Sequence, residues 1–235
     1  LALMVIMFGM GLTLTLADFK RVLLSPKAKL IGLANQLILL PLVAFGLVYL
    51  FRLSAELAVG LMLVAACPGG PTSNMITHLS RGDTALSVTL TAVSSLITVF
   101  TIPVIVGASL SHFMGDAGAT IALPFGKTVF QLMLVTLVPV LLGMGVHARW
   151  PSFARRMGKP VNLLSMLFLA LVIVLAVMKE PDLTGQFRAA GWATFTLNVT
   201  TMILGFSIAA AASLSLPQRI SISIESVIQN GTMSL

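Results

Sequence analysis

Charge is scarce in this sequence. Asp and Glu number seven and Lys and Arg 14 among 235 residues, so charged side chains make up 9% and hydrophobic ones 57%. A mean hydropathy of +1.05 lies far above that of soluble domains and excludes a water-soluble globular protein. Cysteine is almost absent too: Cys67 stands alone, which excludes an intrachain disulfide. The three histidines, His78, His112 and His147, are scattered, so neither they nor Cys67 suggest a transition-metal centre. Asp, His and Cys never cluster in an apolar stretch, which argues against an intramembrane enzyme such as a lipid-modifying transferase. Polar linkers long enough to separate two domains are lacking as well, so residues 1–235 are expected to form one transmembrane domain.

What the sequence does contain is a series of apolar runs. About 20 residues are needed for a helix to cross a bilayer. Eight candidates are legible: Leu1–Leu16, Leu30–Phe51, Ala55–Leu79 (broken), Thr84–Ser109, Phe125–His147, Val161–Met178, Ala190–Leu214 and Pro217–Leu235 (broken). Leu1–Leu16 lacks the basic flank and the small-residue cleavage site of a signal peptide, so it reads as the remainder of a spanning helix. The sequence is accordingly expected to be a piece of a longer protein, cut at both ends.

The net charge of +7 follows topology. Lys20, Arg21, Lys27, Lys29, Arg81, Arg149, Arg155, Arg156, Lys159 and Arg219 fall in odd-numbered loops, ten of the 14 basic residues. Arg52, Lys179 and Arg188 fall in even-numbered ones, and Lys127 opens a helix. By the positive-inside rule the odd loops face the cytoplasm and Leu1 lies outside. Such a distribution is no footprint for nucleic acid. A multi-pass protein of the bacterial inner membrane, with lipid as its surroundings, is the expected setting.

Two of the runs carry breaks. Pro68-Gly69-Gly70-Pro71 cannot continue an α-helix, because two prolines lack N–H donors and two glycines lack stiffening side chains. Thr72, Ser73 and Asn74 follow with three side-chain oxygens in succession. In lipid, such freed backbone is tolerated only where it is buried in protein or lines a cavity. The second break is expected around Gln229-Asn230-Gly231, about 160 residues further on, and the same offset relates Leu30 to Ala190 and Leu1 to Val161. Helices so related run in opposite directions by the loop assignment. Residues 1–109 therefore read as a first repeat and 123–235 as an inverted second one, each lacking one helix of a ten-helix whole. Inverted repeats with broken helices are how many secondary transporters build midplane sites.

Glu225 is the one acidic residue in the interior of an apolar run; Glu56 stands at the end of one and the other five in loops or at helix ends. A carboxylate there is expensive and needs a cation, yet the nearest basic residue in sequence, Arg219, lies toward the cytoplasmic surface. A bound ion is the expected partner, with protonation or a distant basic residue as the bland alternatives. Gln229 follows at i+4 on the same face, with Asn230 beside it. Ser87 and Thr91 are likewise spaced i, i+4 in the helix after the first break, with Ser94 and Ser95 a turn further on. Membrane hydroxyls often bond only to their own helix, but next to Ser73 and Asn74 these four make a wall of oxygen donors. Gln36 adds an amide in the middle of Leu30–Phe51. Carboxylate, amide, hydroxyl and freed carbonyl oxygens suit a hard monovalent cation. His78, at i+4 from Asn74, is the only hint of a proton.

At these residues the chain resembles the bile acid:sodium symporter family. The matching motifs are Met7-Phe8-Gly9-Met10-Gly11-Leu12, Cys67-Pro68-Gly69-Gly70 with Ser73-Asn74, Leu79-x-Arg81-Gly82-Asp83, Leu86-Ser87-Val88 and Glu225-x-x-x-Gln229-Asn230. The resemblance implies an all-α polytopic fold whose two discontinuous helices cross near the midplane, divided into a panel and a core. It implies two sodium ions as coupling ions. One would be held by Ser73, Asn74, Ser87, Thr91 and Glu225, the other by Gln36, Glu225, Gln229 and the backbone carbonyls of Ser226 and Ile228. Asn230 and the Pro71–Thr72 turn would face a small organic anion, where family members often carry Thr and then a small residue. The expected function is sodium-coupled symport of an organic anion, bile-acid-like or a smaller carboxylate, by alternating access. A cation/proton antiporter of similar fold is the alternative, although it would favour a second acid or a membrane lysine. A passive channel gains nothing from two broken helices.

Overall fold

In the computed structural model, the structure describes residues 2–12, 14–15, 26–120, 127, 130–131, 133–154, 156–157, 160, 164, 167, 171, 174 and 183–229. These residues form an all-helical assembly. In order come α1 (Ala2–Gly11), α2 (Pro26–Leu50), α3 (Ala55–Ala66), α4 (Pro71–Leu79), α5 (Thr84–Thr120), α6 (Met133–Arg149), α7 (Leu183–Ala211) and α8 (Leu216–Glu225). Three stretches among the described residues are long and apolar enough to cross a membrane: Pro26–Leu50, Thr84–Gly115 and Ala190–Ala211. The burial pattern is inside-out. Leu30, Leu42, Leu50, Val104, Trp192 and Ile203 are exposed, whereas Gln36, Ser73, Ser87, Thr91 and Glu225 are buried. Outward Leu, Val, Ile and Trp suit acyl chains, and inward polar groups must then find one another.

Proline sets several details. Pro41 has no N–H to give to Leu37, and α2 relaxes just before it into a π-helical turn, Asn35–Leu39. Pro139 does the same in α6, after the π-turn Met133–Leu137. Pro26 is preset for the first turn of a helix, so α2 begins there rather than at Leu30, and Lys29 becomes a buried residue of its first turn. Helix α5 continues beyond the expected Ser109 to Thr120, changing direction at Gly115 (φ 53°). The tight turns α2–α3, α4–α5 and α7–α8 close on left-handed residues that are not glycine, Arg52, Arg81 and Ser213. In each, the following N–H reaches back five residues: Leu53 to Val48, Gly82 to Thr77, Leu214 to Ala209.

Packing divides along the same lines. Leu40, Ala44, Leu47, Ala58, Leu61, Ala65, Ala193 and Leu197 join α2, α3 and α7 in one apolar cluster. Leu86, Leu90, Ala209, Leu214 and Ile222 bring α5, α7 and α8 together in another. Helices α1 and α6 pair through Met7, Val140 and Met144, with Gly11 directly against the Val140 backbone, where a β-carbon has no room.

The run Ala55–Leu79 is broken as the sequence predicts. Helix α3 stops at Ala66, residues 67–70 are extended, and Pro71 opens α4. Helix α8 likewise stops at Glu225, leaving 226–229 non-helical. The two breaks meet: Gly69 and Gln229 form an antiparallel bridge.

Candidate functional site

The site is built where the breaks cross. Glu225 ends α8 and is fully enclosed (2% exposed), and among the described residues its hydrogen-bond partners are three hydroxyls and no cation. Ser73 and Ser87 each donate to Oε2 at 2.8 Å, and Thr91 donates to Oε1 at 2.5 Å. Ser73 lies in the first turn of α4, one helical turn from Gly70, whose carbonyl its hydroxyl also meets at 2.6 Å. Ser87 and Thr91 come from the same face of α5, as their spacing requires. Asn74 Oδ1 accepts from Ser87 at 2.8 Å and from Thr91 at 3.3 Å. All five residues expected at the first position, Ser73, Asn74, Ser87, Thr91 and Glu225, are thus in one connected group.

Gly69 explains why the break is glycine there. A β-carbon on it would overlap the Glu225 carboxylate and lie 3.3 Å from Gln36 Nε2. The same contacts put the Gln36 amide, from the π-turn of α2, beside Gly69 and close to the Glu225 carboxylate. Gln36 is buried with neither amide atom hydrogen-bonded, and Gln229 Oε1 is also unpartnered. Gln229 Nε2 donates to the Ser226 carbonyl at 3.2 Å. Ile228 is half-buried in the break, its N–H bonded to Ile224 O. Buried amides without partners cost free energy unless something else satisfies them. An oxygen-seeking cation fits this donor set; a soft metal does not.

Other expected residues fall differently. Thr72 is exposed in the first turn of α4, Pro71 is the first residue of that helix, and Asn230 lies outside the described residues. Ser94 and Ser95 both donate to the Thr91 carbonyl, at 3.2 and 2.7 Å, and so serve their own helix. His78 is exposed, not turned into the Glu225 group. Three residues were not singled out from sequence. Asn35 donates to Ser226 Oγ, Thr201 Oγ1 approaches Ser226 O at 3.4 Å, and Thr77 donates to Ser87 Oγ at 3.3 Å. The one signal for Asn35 was its adjacency to Gln36, a second amide in an apolar run.

Two broken helices whose gaps meet over a buried, hydroxyl-ringed carboxylate define a polytopic membrane protein of the crossed-helix transporter class. The chain belongs to the sodium bile acid symporter family, whose sequence profile matches residues 1–186. A Bacillus subtilis (strain 168) protein named as a sodium-dependent transporter, YocS, is 32% identical over 230 residues, 96% of this chain and 68% of that protein. A rice protein named probable sodium/metabolite cotransporter BASS2, chloroplastic, is 28% identical over 232 residues, 97% of this chain and 53% of the relative. Human sodium/bile acid cotransporter 4 is 31% identical over 191 residues, 80% of this chain and 43% of the relative. The chain thus spans between 43% and 68% of these proteins' lengths.

Proposed function

We propose that this chain carries the ion- and substrate-binding centre of a sodium-coupled symporter for an organic anion. The observation that carries the reading is Glu225: a carboxylate enclosed at the crossing of two helix breaks, held by Ser73, Ser87 and Thr91, with no basic partner among the described residues. Sodium is cargo here. One ion would sit among Ser73, Asn74, Ser87, Thr91 and Glu225. The second would use Gln36, Glu225, Gln229 and the carbonyls of Ser226 and Ile228, and the unpartnered side-chain oxygens of Gln36 and Gln229 support that position. The anion, bile-acid-like or a smaller carboxylate, would be met by Asn230 and the Pro71–Thr72 turn, where the N-terminal dipole of α4 favours negative charge.

Alternating access in this family rests on an inverted repeat, which we assign to 1–109 and 123–235. The Gly69–Gln229 bridge supports it. The two residues stand at the same offset, about 160, that relates the helix starts. Around a two-fold axis in the membrane plane, equivalent residues meet as antiparallel neighbours. Contacts between loop ends support the topology. Asp83 N donates to Pro217 O at 3.0 Å, joining two odd-numbered loops, and Tyr49 OH meets His112 Nε2 at 2.5 Å near two even-numbered ones. Odd loops in the cytoplasm of a bacterial inner-membrane protein complete the reading. Two cations entering with one monovalent anion move one net charge, worth about 2.3 kcal/mol per 100 mV.

Reconstituted full-length protein tests it. An inward sodium gradient should drive accumulation of a labelled organic acid, screened across bile acids and small carboxylates. Uptake that follows a proton gradient and ignores sodium would replace symport with proton coupling.

A further inference from the structure

The second break is held from outside by residues that no expected sodium position includes. Asn35 sits in the π-turn of α2, 3% exposed, and its Nδ2 donates to the side-chain hydroxyl of Ser226. That hydroxyl in turn donates to Ile222 O at 2.7 Å. The Ser226 carbonyl meets Thr201 Oγ1 at 3.4 Å and accepts from Gln229 Nε2 at 3.2 Å. Helix α7 reaches this point because residue 205 is glycine. A β-carbon there would lie 2.7 Å from Asn35 Nδ2 and 3.1 Å from Ser226 Oγ, too close for both. One turn of α7 away, Met202 O accepts from Ser223 Oγ at 2.9 Å. Three helices therefore converge on the one residue that follows Glu225.

Burial gives this convergence a purpose. A non-helical segment such as 226–229 has no ladder of its own to fix its carbonyls, and an ion site needs them fixed. The π-turn is the device that lets α2 contribute: it brings two consecutive amides, Asn35 and Gln36, into the interior, one toward Ser226 and one toward Gly69. Gln36 then faces the ion, and Asn35 faces the backbone that binds it.

Resting on the sodium reading above, we propose that Asn35 is a positioning residue for the second sodium ion. It acts through Ser226 Oγ to hold the Ser226 carbonyl in place, in the gap that Gly205 leaves open. The contact that carries this role is the one its Nδ2, a donor that cannot ligate a cation, makes to Ser226 Oγ; its Oδ1 has no partner. Losing one such bond should weaken sodium binding about threefold to tenfold.

The test uses full-length protein, titrated with sodium chloride against choline chloride at constant ionic strength, with sodium-dependent thermal stabilisation as the readout. Asn35→Ala and Ser226→Ala should each raise the half-saturating sodium concentration by that factor, and the double variant should be no worse than the weaker single. Gly205→Ala, which displaces the Asn35 amide sterically, should give the same shift with every clamp side chain present. Ser226→Ala is the gentlest of the set and keeps the carbonyl, so it decides the matter if Asn35→Ala fails to fold. Multiplying effects in the double variant overturn the proposal, because Asn35 would then not act through Ser226. Lowered stability in choline with unchanged sodium affinity overturns it too, leaving Asn35 a packing residue. Ser87→Ala and Glu225→Gln run alongside: a sodium response unchanged in those as well defeats the sodium reading itself, whereas a response lost there and intact in the clamp variants defeats only the clamp.

Discussion

Replacing Glu225 with Gln removes one charge and almost nothing else. The side chain keeps its length, and the three hydroxyls around it have other places to turn. Ser73 already meets Gly70 O at 2.6 Å, and Ser87 already meets Asn74 Oδ1 at 2.8 Å. A hydroxyl that donated to a carboxylate oxygen can rotate and accept from the new amide N–H. The fold should therefore survive with its stability in sodium-free buffer undiminished, because a buried charge with no cation has been removed. Sodium binding should not survive. A unit charge about 4 Å from another contributes about 4 kcal/mol at an effective dielectric of 20. That corresponds to roughly a thousandfold in affinity, enough to carry half-saturation beyond any practical concentration. The assay is sodium-dependent thermal stabilisation of purified full-length protein, followed by sodium-driven uptake in proteoliposomes. Folded Glu225→Gln protein with wild-type sodium dependence would refute the argument outright, since no other described acidic residue lies at the crossing.

Gly69→Ala should abolish sodium binding and cost about 1–3 kcal/mol of stability from overpacking, read in a thermal melt, because its methyl would collide with the Glu225 carboxylate. Ser87→Ala and Thr91→Val each remove one hydroxyl at nearly constant volume. Half-maximal sodium should rise several-fold in uptake assays while stability changes by about 0.6 kcal/mol, the size of a membrane side-chain bond. A reporter fused within 20–25 should lie in the cytoplasm and one at 116–120 outside; finding both on one side would defeat the inverted topology. Pro71→Thr should change the preference among organic acids, measured by competition, more than it changes the sodium dependence.

How much of this was legible in the sequence depended on whether the chemistry was local. Pro68-Gly69-Gly70-Pro71 announces its break, because proline and glycine act on their own backbone. Ser87 and Thr91 share a face by spacing alone, and Glu225 stands out as an acid in an apolar run. The expected first ion position could therefore be assembled from motifs and resemblance, and its five residues do lie together. What stayed hidden depended on partners far along the chain. Nothing in the apolar run of α7 marks Thr201 or Gly205, whose roles exist only because Ser226 and Asn35 approach them. Neighbours in a regular helix point about 100° apart, so Asn35 and Gln36 did not read as one functional pair. The π-turn before Pro41 changes that geometry. His78 went the other way: its spacing from Asn74 suggested the site, yet the short helix α4 turns it outward. Left-handed turn residues such as Arg52 and Arg81 were equally silent, since sequence rules look for glycine there.

Charge balance at Glu225 ties the pieces together. On the proposed reading one carboxylate serves both cations, its Oε2 facing Ser73 and Ser87 and its Oε1 facing Thr91 and the Gly69 side. A single sodium ion neutralises it. A second ion leaves the enclosed centre with a net positive charge, which is costly wherever water is excluded. An organic anion at the Pro71–Thr72 turn, one residue from Ser73, removes that cost. On that reading sodium would create the charge that attracts the substrate, and by linkage the substrate would tighten sodium to the same degree. Coupling of this kind needs no long pathway through the protein. It requires only that the two breaks share one carboxylate, which is what the crossing at Gly69 and Gln229 provides.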